Sequence, residues 1–448
     1  MRNFNYIQFL FDYGTLLVLA LLCGWFSYVT IEEQSPTSIS AAERLAKRAS
    51  DELSREAKVI VLARQGGEGE SFAKTLSDQL TQVGFSVEST TIGKPTDARK
   101  ALTNFGNTDN ELAGIIADKH MANFANANLA NLGQAHPGLA KAKIFQPESY
   151  RWPNFLKKEN LLNVMKQISV VAIIAIGMTM VIITAGIDLS VGSLIAFSGV
   201  LTALTIQSLG GSAPTSSDLW LGAMVGILVC GLAGLFTGGL VTLFRIPAFI
   251  ATLGIMFIAK GLAFIFSDSA PVPVGNEAFG WLGRGRDFFG MPNSVILMLI
   301  LFAMAHVLMM RTSIGRYIYA VGGNPEAARL SGVPVKWVLL FVYTLTGLLA
   351  GLGGVMEASL HTTGDPKSGD LVELKVIAAV VVGGTSLAGG QGRITGTLIG
   401  AFIIAVINNG MNLTGVESHM QKVIYGAVIL IAVLIDRLKI HLLKLKQP

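Results

Sequence analysis

Thr184-Ala185-Gly186-Ile187-Asp188-Leu189-Ser190-Val191-Gly192-Ser193 sets one carboxylate and two glycines between two long apolar runs, with hardly a polar loop to separate them. Apolar runs near the roughly 20 residues that cross a bilayer core, joined by so little polar chain, read as two membrane helices with a tight break between them. A charged side chain at such a place is costly unless donors lie close by. Asp188 is expected to find them in backbone groups at the start of the next helix, as an N-cap does, while the glycines permit the break. Two roles stand for Asp188: a capped turn at the membrane boundary, or direct contact with whatever passes through the bundle.

Outward from this break the pattern repeats. Apolar segments are centred near Ile174, Gly199, Gly231, Phe257, Phe302, Gly347, Val381, Ile403 and Ile429. A further run spans Gly14 to Thr30, behind a short head with Arg2 and Asp12. No small-x-small cleavage site precedes Glu32 and Glu33, so a retained first helix is expected rather than a cleaved leader. The expected fold is an all-α polytopic membrane protein of about ten transmembrane helices. Composition agrees: 51% of the 448 residues are hydrophobic and 14% charged, against about 25% charged in a soluble domain. The net charge of +5 is too mild for a nucleic-acid reader. Cys23 and Cys230 both sit in apolar runs, which leaves neither a disulfide framework nor a cysteine metal site. No stretch fits the Gly-x-x-x-x-Gly-Lys-Ser/Thr phosphate loop, since Gly93-Lys94 is followed by Pro95. The chain is therefore not expected to be an enzyme, and any ATP hydrolysis belongs to another subunit.

Between Glu32 and Asn154 the composition turns polar and charged. An amphipathic opening, Ala41 to Arg48, leads to a β-branched run from Lys58 to Leu62 and a helical pattern from Ser71 to Gln82. Gly84 to Glu88 reads as a second strand, a helix starts near Asp97, and Leu112 to Ala117 reads as a third. The alternation predicts a small α/β domain with a parallel sheet, and roughly 120 residues suffice for one core. The cluster Gly66-Gly67-Glu68-Gly69 after the first strand is too short a signal for a nucleotide site.

Placing the N-terminus in the cytoplasm puts Arg245, then Arg311, Arg316, Arg329 and Lys336, then Arg393, then Arg437, Lys439, Lys444 and Lys446 on the inside. That is the positive-inside bias, and it puts the polar insert outside. The expected organisation is a cytoplasmic N-terminus and first helix (1–31), an extracytoplasmic α/β insert (32–154), a bundle of about nine helices (155–437) with a cytoplasmic loop 311–336, and a basic cytoplasmic tail (438–448). Gly222 and Gly226, Gly234 and Gly238, Gly347 and Gly351, and Gly396 and Gly400 repeat at four-residue spacing, the pattern of close helix packing. Lys260 is expected to snorkel to an interface. His306 is expected to be a hydrogen-bonded bundle residue, with no second ligand for a metal. Asn408 and Asn409 either bridge helices or meet hydroxyls of a passing molecule.

The chain resembles the permease subunits of ABC importers for ribose, xylose, arabinose and similar sugars. The likeness rests on Asn160-Leu161-Leu162-Asn163, Ala175 to Thr179, Gly186 to Ser193 and Pro247 to Gly254, and it covers nearly all of the chain after Phe155. The insert lies outside it. Two departures stand out: Ala185 replaces the first of two glycines usual before Ile-Asp-Leu-Ser, and Lys375, ahead of the run Gly383 to Gly392, stands where acids are common. The Gly-rich breaks around Asp188 and after Gly383 fall in the two halves of the bundle, as in a transporter built from related halves.

The polar stretch Gly315 to Val333 carries Asn324-Pro325, suited to capping and starting a short helix, and Gly332, suited to ending one. The resemblance implies that Gly323, Asn324, Pro325, Glu326, Ala327, Ala328, Arg329 and Gly332 form the coupling helix that fits a cleft in a cytoplasmic ATPase. It further implies an extracytoplasmic sugar-binding protein, a second permease chain, most simply a homodimer, and a place in the bacterial inner membrane. No cofactor or metal is implied. Thr179, Asp188, Ser190, Ser193, Asn408 and Asn409 are the expected translocation-path residues, since neutral hydrogen-bonding groups suit a polyhydroxyl cargo. The rival readings are an ion-coupled secondary transporter, which needs convergent acids, and a membrane sensor with the insert as detector. On the leading reading the insert docks, guides or replaces part of the binding protein.

Overall fold

A computed structural model describes residues 6–66, 69–211 and 213–444, with side chains at all of these except 6–13 and 435–444. Arg2, Gly67, Glu68 and Lys446, and the side chains of Asp12, Arg437, Lys439 and Lys444, lie outside the described residues. The chain divides into two compact units, Met1–Thr30 with Asn154–Pro448, and Ile31–Pro153.

After α1 (Tyr6–Val29), the second unit runs β1 (Ile31–Gln34), α2 (Ile39–Glu52), β2 (Lys58–Arg64), α3 (Gly69–Val83), β3 (Ser86–Gly93), α4 (Pro95–Gly106), β4 (Gly114–Ala117), α5 (Lys119–Ala135), β5 (Lys143–Phe145) and β6 (Tyr150–Pro153). Four strands form a parallel sheet in the order β3-β2-β4-β5. Because successive side chains of a strand point to opposite faces, the apolar run of β2 feeds two cores at once. Val59, Val61 and Ala63 pack with Leu45 of α2 and Phe72, Leu76 and Leu80 of α3. Ile60 and Leu62 pack with Leu102 of α4 and Met121 of α5.

Three features of this unit differ from the sequence reading. The second strand starts at Ser86 and runs to Gly93, because Gly84, at φ 101°, ends the preceding helix instead of opening the strand. The fourth strand β5 is only three residues long and gives no periodic signal. β1 and β6, at opposite ends of the insert, pair antiparallel from Ile31↔Pro153 to Gln34↔Tyr150.

The other unit continues with α6 (Lys158–Ile183), α7 (Val191–Gly210), α8 (Ser216–Leu243), α9 (Ala248–Phe266), the short strand β7 (Val272–Pro273), α10 (Trp281–Arg284), α11 (Asn293–Arg311), α12 (Ser313–Gly323), α13 (Pro325–Leu330), α14 (Val335–His361), β8 (Thr363–Gly364), α15 (Val372–Val382), α16 (Ile394–Leu413) and α17 (Ser418–Lys444). Among the described residues seven helices, α6, α7, α8, α9, α11, α14 and α16, are long and apolar enough to cross a membrane. The segment centred near Val381 forms an 11-residue helix, α15. At about 1.5 Å per residue it is too short to cross a core of about 30 Å alone.

The repeated glycines sit where helices touch. A methyl group on Gly234 would meet the Tyr343 backbone, on Gly347 the Cys230 carbonyl, on Gly351 Ile227, and on Gly400 the Ala379 carbonyl. The contact of α8 with α14 is thus a backbone-to-backbone approach that any side chain would wedge open. Burial follows the same logic: α6 is enclosed continuously from Val171 to Ile183, whereas α9 keeps Phe249, Phe257, Ile258 and Ile265 exposed, a surface suited to lipid or to another apolar partner.

Candidate functional site

The rod at α13 is built by its ends. Asn324 adopts extended backbone, and its Oδ1 accepts the Glu326 and Ala327 N–H groups, both at 3.0 Å. Pro325 fills the first helical position, where its missing N–H costs nothing. At the other end Gly332 takes φ 85°, its N–H reaches the Arg329 carbonyl, and the Val333 N–H reaches the Ala328 carbonyl, both at 3.0 Å. That pair of bonds satisfies carbonyls a helix end otherwise leaves open. Of the six residues, only Ala328 is buried, in the bundle core; Glu326 and Arg329 form an exposed ion pair at 3.0 Å, and Leu330 is 79% exposed. The result is a short, rigid, mostly exposed rod anchored at one side chain.

The preceding helix α12 ties this rod to both Gly-rich breaks. A methyl group at Gly322 would overlap the Ile183 carbonyl, the last residue of α6, and would press on the Gly390 N–H. Gly390 N in turn donates to Ile183 O at 2.8 Å. Tyr319 of α12 donates its hydroxyl to the Gly392 carbonyl at 2.8 Å. Burial pushes the Tyr319 phenol above its ordinary pKa, with the nearby Arg393 pulling the other way. His306 lines a neighbouring cavity of about 230 Å³ with Tyr319, Arg393 and Thr395.

At the first break, α6 ends at Ile183 and α7 begins at Val191. Asp188 is 1% exposed and its Oδ1 accepts both the N–H (2.9 Å) and the hydroxyl (2.6 Å) of Ser190. The carboxylate therefore fastens the residue at the cap position of α7 and does not cap the helix itself, a refinement of the N-cap expectation. Ala185 sits at φ 61°, a left-handed conformation that disfavours a Cβ.

The start of α7 meets the start of α15. A methyl group on Gly192 would collide with the Gly369 carbonyl and the Glu373 carboxylate, so two interrupted helices point their N-termini at one place. Interrupted helices of this kind form the binding sites of many transporters. Lys260 of α9 reaches Oδ1 of the exposed Asp370 at 2.5 Å and lies 5.6 Å from the Phe264 ring centroid. Lys260, Asp370 and Glu373 were not legible as a group, since 110 residues separate the first pair.

The expected path residues do not form one cluster. Asp188 and Ser190 are bonded together, and Ser193 is buried in the first turn of α7. Thr179 bonds Thr397 of α16 at 2.7 Å. Asn409 exchanges two amide hydrogen bonds with Asn160, at 2.9 and 2.8 Å, and so bridges α6 and α16. Asn408 accepts from Asn412 within its own helix.

A mostly helical membrane bundle, with interrupted helices facing each other and a rigid rod wired to them by backbone contacts, is the architecture of a membrane permease. Residues 160–433 match the model of the family described as branched-chain amino acid transport system / permease component, and the chain belongs to that family. It is similar to the ribose import permease protein of Escherichia coli (strain K12), 46% identical over 292 residues, 64% of this chain and 88% of the relative. It is also similar to the ribose import permease protein of Bacillus subtilis (strain 168), 43% identical over 64% of this chain and 87% of the relative. An L-arabinose ABC transporter permease protein of Azospirillum brasilense is 37% identical over 66% and 84%. No solved structure matches the chain. The insert precedes the matched residues.

Proposed function

We propose that the chain is the membrane subunit of an ABC importer that moves a monosaccharide across the bacterial inner membrane. In this reading about ten helices span the bilayer, both termini are cytoplasmic, and the 32–154 insert is extracytoplasmic. Two permease chains line one path, two cytoplasmic ATPases drive it, and a binding protein delivers sugar. The observation that carries the reading is the contact of Gly322 with Ile183 and Gly390, next to the capped rod Asn324 to Arg329. A push on a rod joined by backbone to both interrupted helices displaces them together, because packed backbones are not continuously deformable. The names of the relatives supply the ABC and sugar parts of the reading.

The test is uptake into vesicles holding the chain with its co-purified ATPase and binding protein. ATP-dependent monosaccharide uptake is expected. Replacing Glu326 and Arg329 together by alanine is expected to leave the bundle folded and ATP hydrolysis running while uptake falls. Uptake that persists without ATP and collapses with the ion gradient would replace this reading with the ion-coupled one.

A further inference from the structure

The strand order β3-β2-β4-β5 changes direction between β2 and β4: the chain leaves β2 to one side for β3, then crosses back to the other side for β4. In open parallel sheets, ligands bind in the crevice outside the carboxyl ends of the strands at such a switch point. A cavity of about 290 Å³ lies at this place in the insert, lined by Arg64 at the end of β2, by Asp118, Lys119 and His120 at the end of β4, and by Ser35 and Thr37 after β1. The floor is fixed, since the buried Asp118 carboxylate accepts the Arg64 N–H at 2.6 Å and the Met121 N–H at 2.9 Å. Ser35 Oγ is buried with no hydrogen-bond partner. An unpaired buried hydroxyl is costly, and this one lies in a residue that lines the cavity.

The lining selects the chemistry. Arg64, Lys119 and His120 donate, the hydroxyls of Ser35 and Thr37 do both, and none of these residues offers an apolar wall. Lys119 pairs with Glu33 at 3.1 Å, and Asp118 lines the same cavity as Arg64, so among the described residues two carboxylates stand against these two cations. A strongly anionic ligand gains little there, and the volume, at the lower end of ligand pockets, suits one sugar ring. We infer that this switch-point cleft binds a neutral monosaccharide, giving the insert a sugar site of its own. The choice of sugar over other polyols rests on the importer reading above.

The full chain in lipid nanodiscs is titrated with D-ribose, L-arabinose and D-xylose, and separately with inorganic phosphate, with binding read by saturation-transfer NMR. At least one sugar is expected to bind saturably, with affinity falling about tenfold or more in Arg64→Ala, as loss of a charged hydrogen-bond donor implies. Arg64 is exposed, so its truncation spares the sheet; Thr37→Val, which keeps shape and removes a hydroxyl, is expected to weaken binding as well. No binding by any of the sugars, binding unchanged in both variants, or displacement of sugar by phosphate overturns the inference. ATP-driven uptake without cleft binding sinks it alone, whereas cleft binding in a chain that supports no ATP-driven uptake sinks the importer reading.

Discussion

Gly390 donates its backbone N–H to the carbonyl of Ile183 at 2.8 Å, across a separation of more than two hundred residues, and thereby joins the two Gly-rich breaks. Gly322 packs onto this bond without a side chain between. The end of α6, the loop after α15 and the end of α12 thus share one backbone junction, next to Asn324 where the rod begins.

Gly322→Ala tests the junction. The added methyl overlaps the Ile183 carbonyl, which is backbone and yields little, so a destabilisation of about 1–3 kcal/mol is expected. It is measured by the thermal unfolding midpoint in detergent. Gly323, the next residue and facing open space, is expected to tolerate the same change.

Asn324→Ala removes an acceptor serving two N–H groups and is expected to cost about 0.5–2 kcal/mol at the start of the rod. Faster amide exchange over 325–330, with bundle helices unchanged, is the readout. Asn324→Asp keeps the acceptor and is expected to restore protection.

Ala185→Gly is expected to raise stability by up to about 1 kcal/mol, the relief of a left-handed alanine less the entropy glycine loses on folding. A higher unfolding midpoint checks it, and a lower one means that the methyl supports the neighbouring Gly389 loop.

The Asn160–Asn409 pair predicts strong coupling in a double-mutant cycle. Either asparagine replaced by leucine strands its partner's amide, at about 1–3 kcal/mol, whereas the double replacement costs less than the sum. Additive effects on the unfolding midpoint would show that the pair contributes no mutual energy.

Glu33 makes the β1–β6 ribbon acid-sensitive. The Ser149 hydroxyl and then the Lys119 ammonium hold its carboxyl below the ordinary value near about 4.3. Its stabilising contribution is present above that value and is lost as pH falls through the lower folded value. Amide protection at Ile31–Gln34 is expected to drop at acid pH in the native chain and to lose that pH dependence in Glu33→Gln.

Much of the bundle was legible because its signals are local. Seven of the apolar runs give helices long enough to cross a membrane, and Asn324-Pro325 with Gly332 mark both ends of the rod within one short stretch. The amphipathic helix α12 is not legible as a helix, since Gly315, Gly322 and Gly323 look like breakers until their close neighbours are known. In the insert, the apolar β2 announced a strand buried on both faces, while the three-residue β5 and the ribbon of β1 with β6 were invisible because their partners are remote in sequence.

By itself the sequence determined the membrane class, the resemblance and the capping chemistry of the rod, all properties of neighbouring residues. Only the tertiary structure decided which polar groups meet. Asn409 found Asn160, Thr179 found Thr397, Lys260 found Asp370, and Ile183 found Gly390. A buried polar group must be satisfied, but composition does not say by whom; that choice belongs to the packing of helices far apart in the chain.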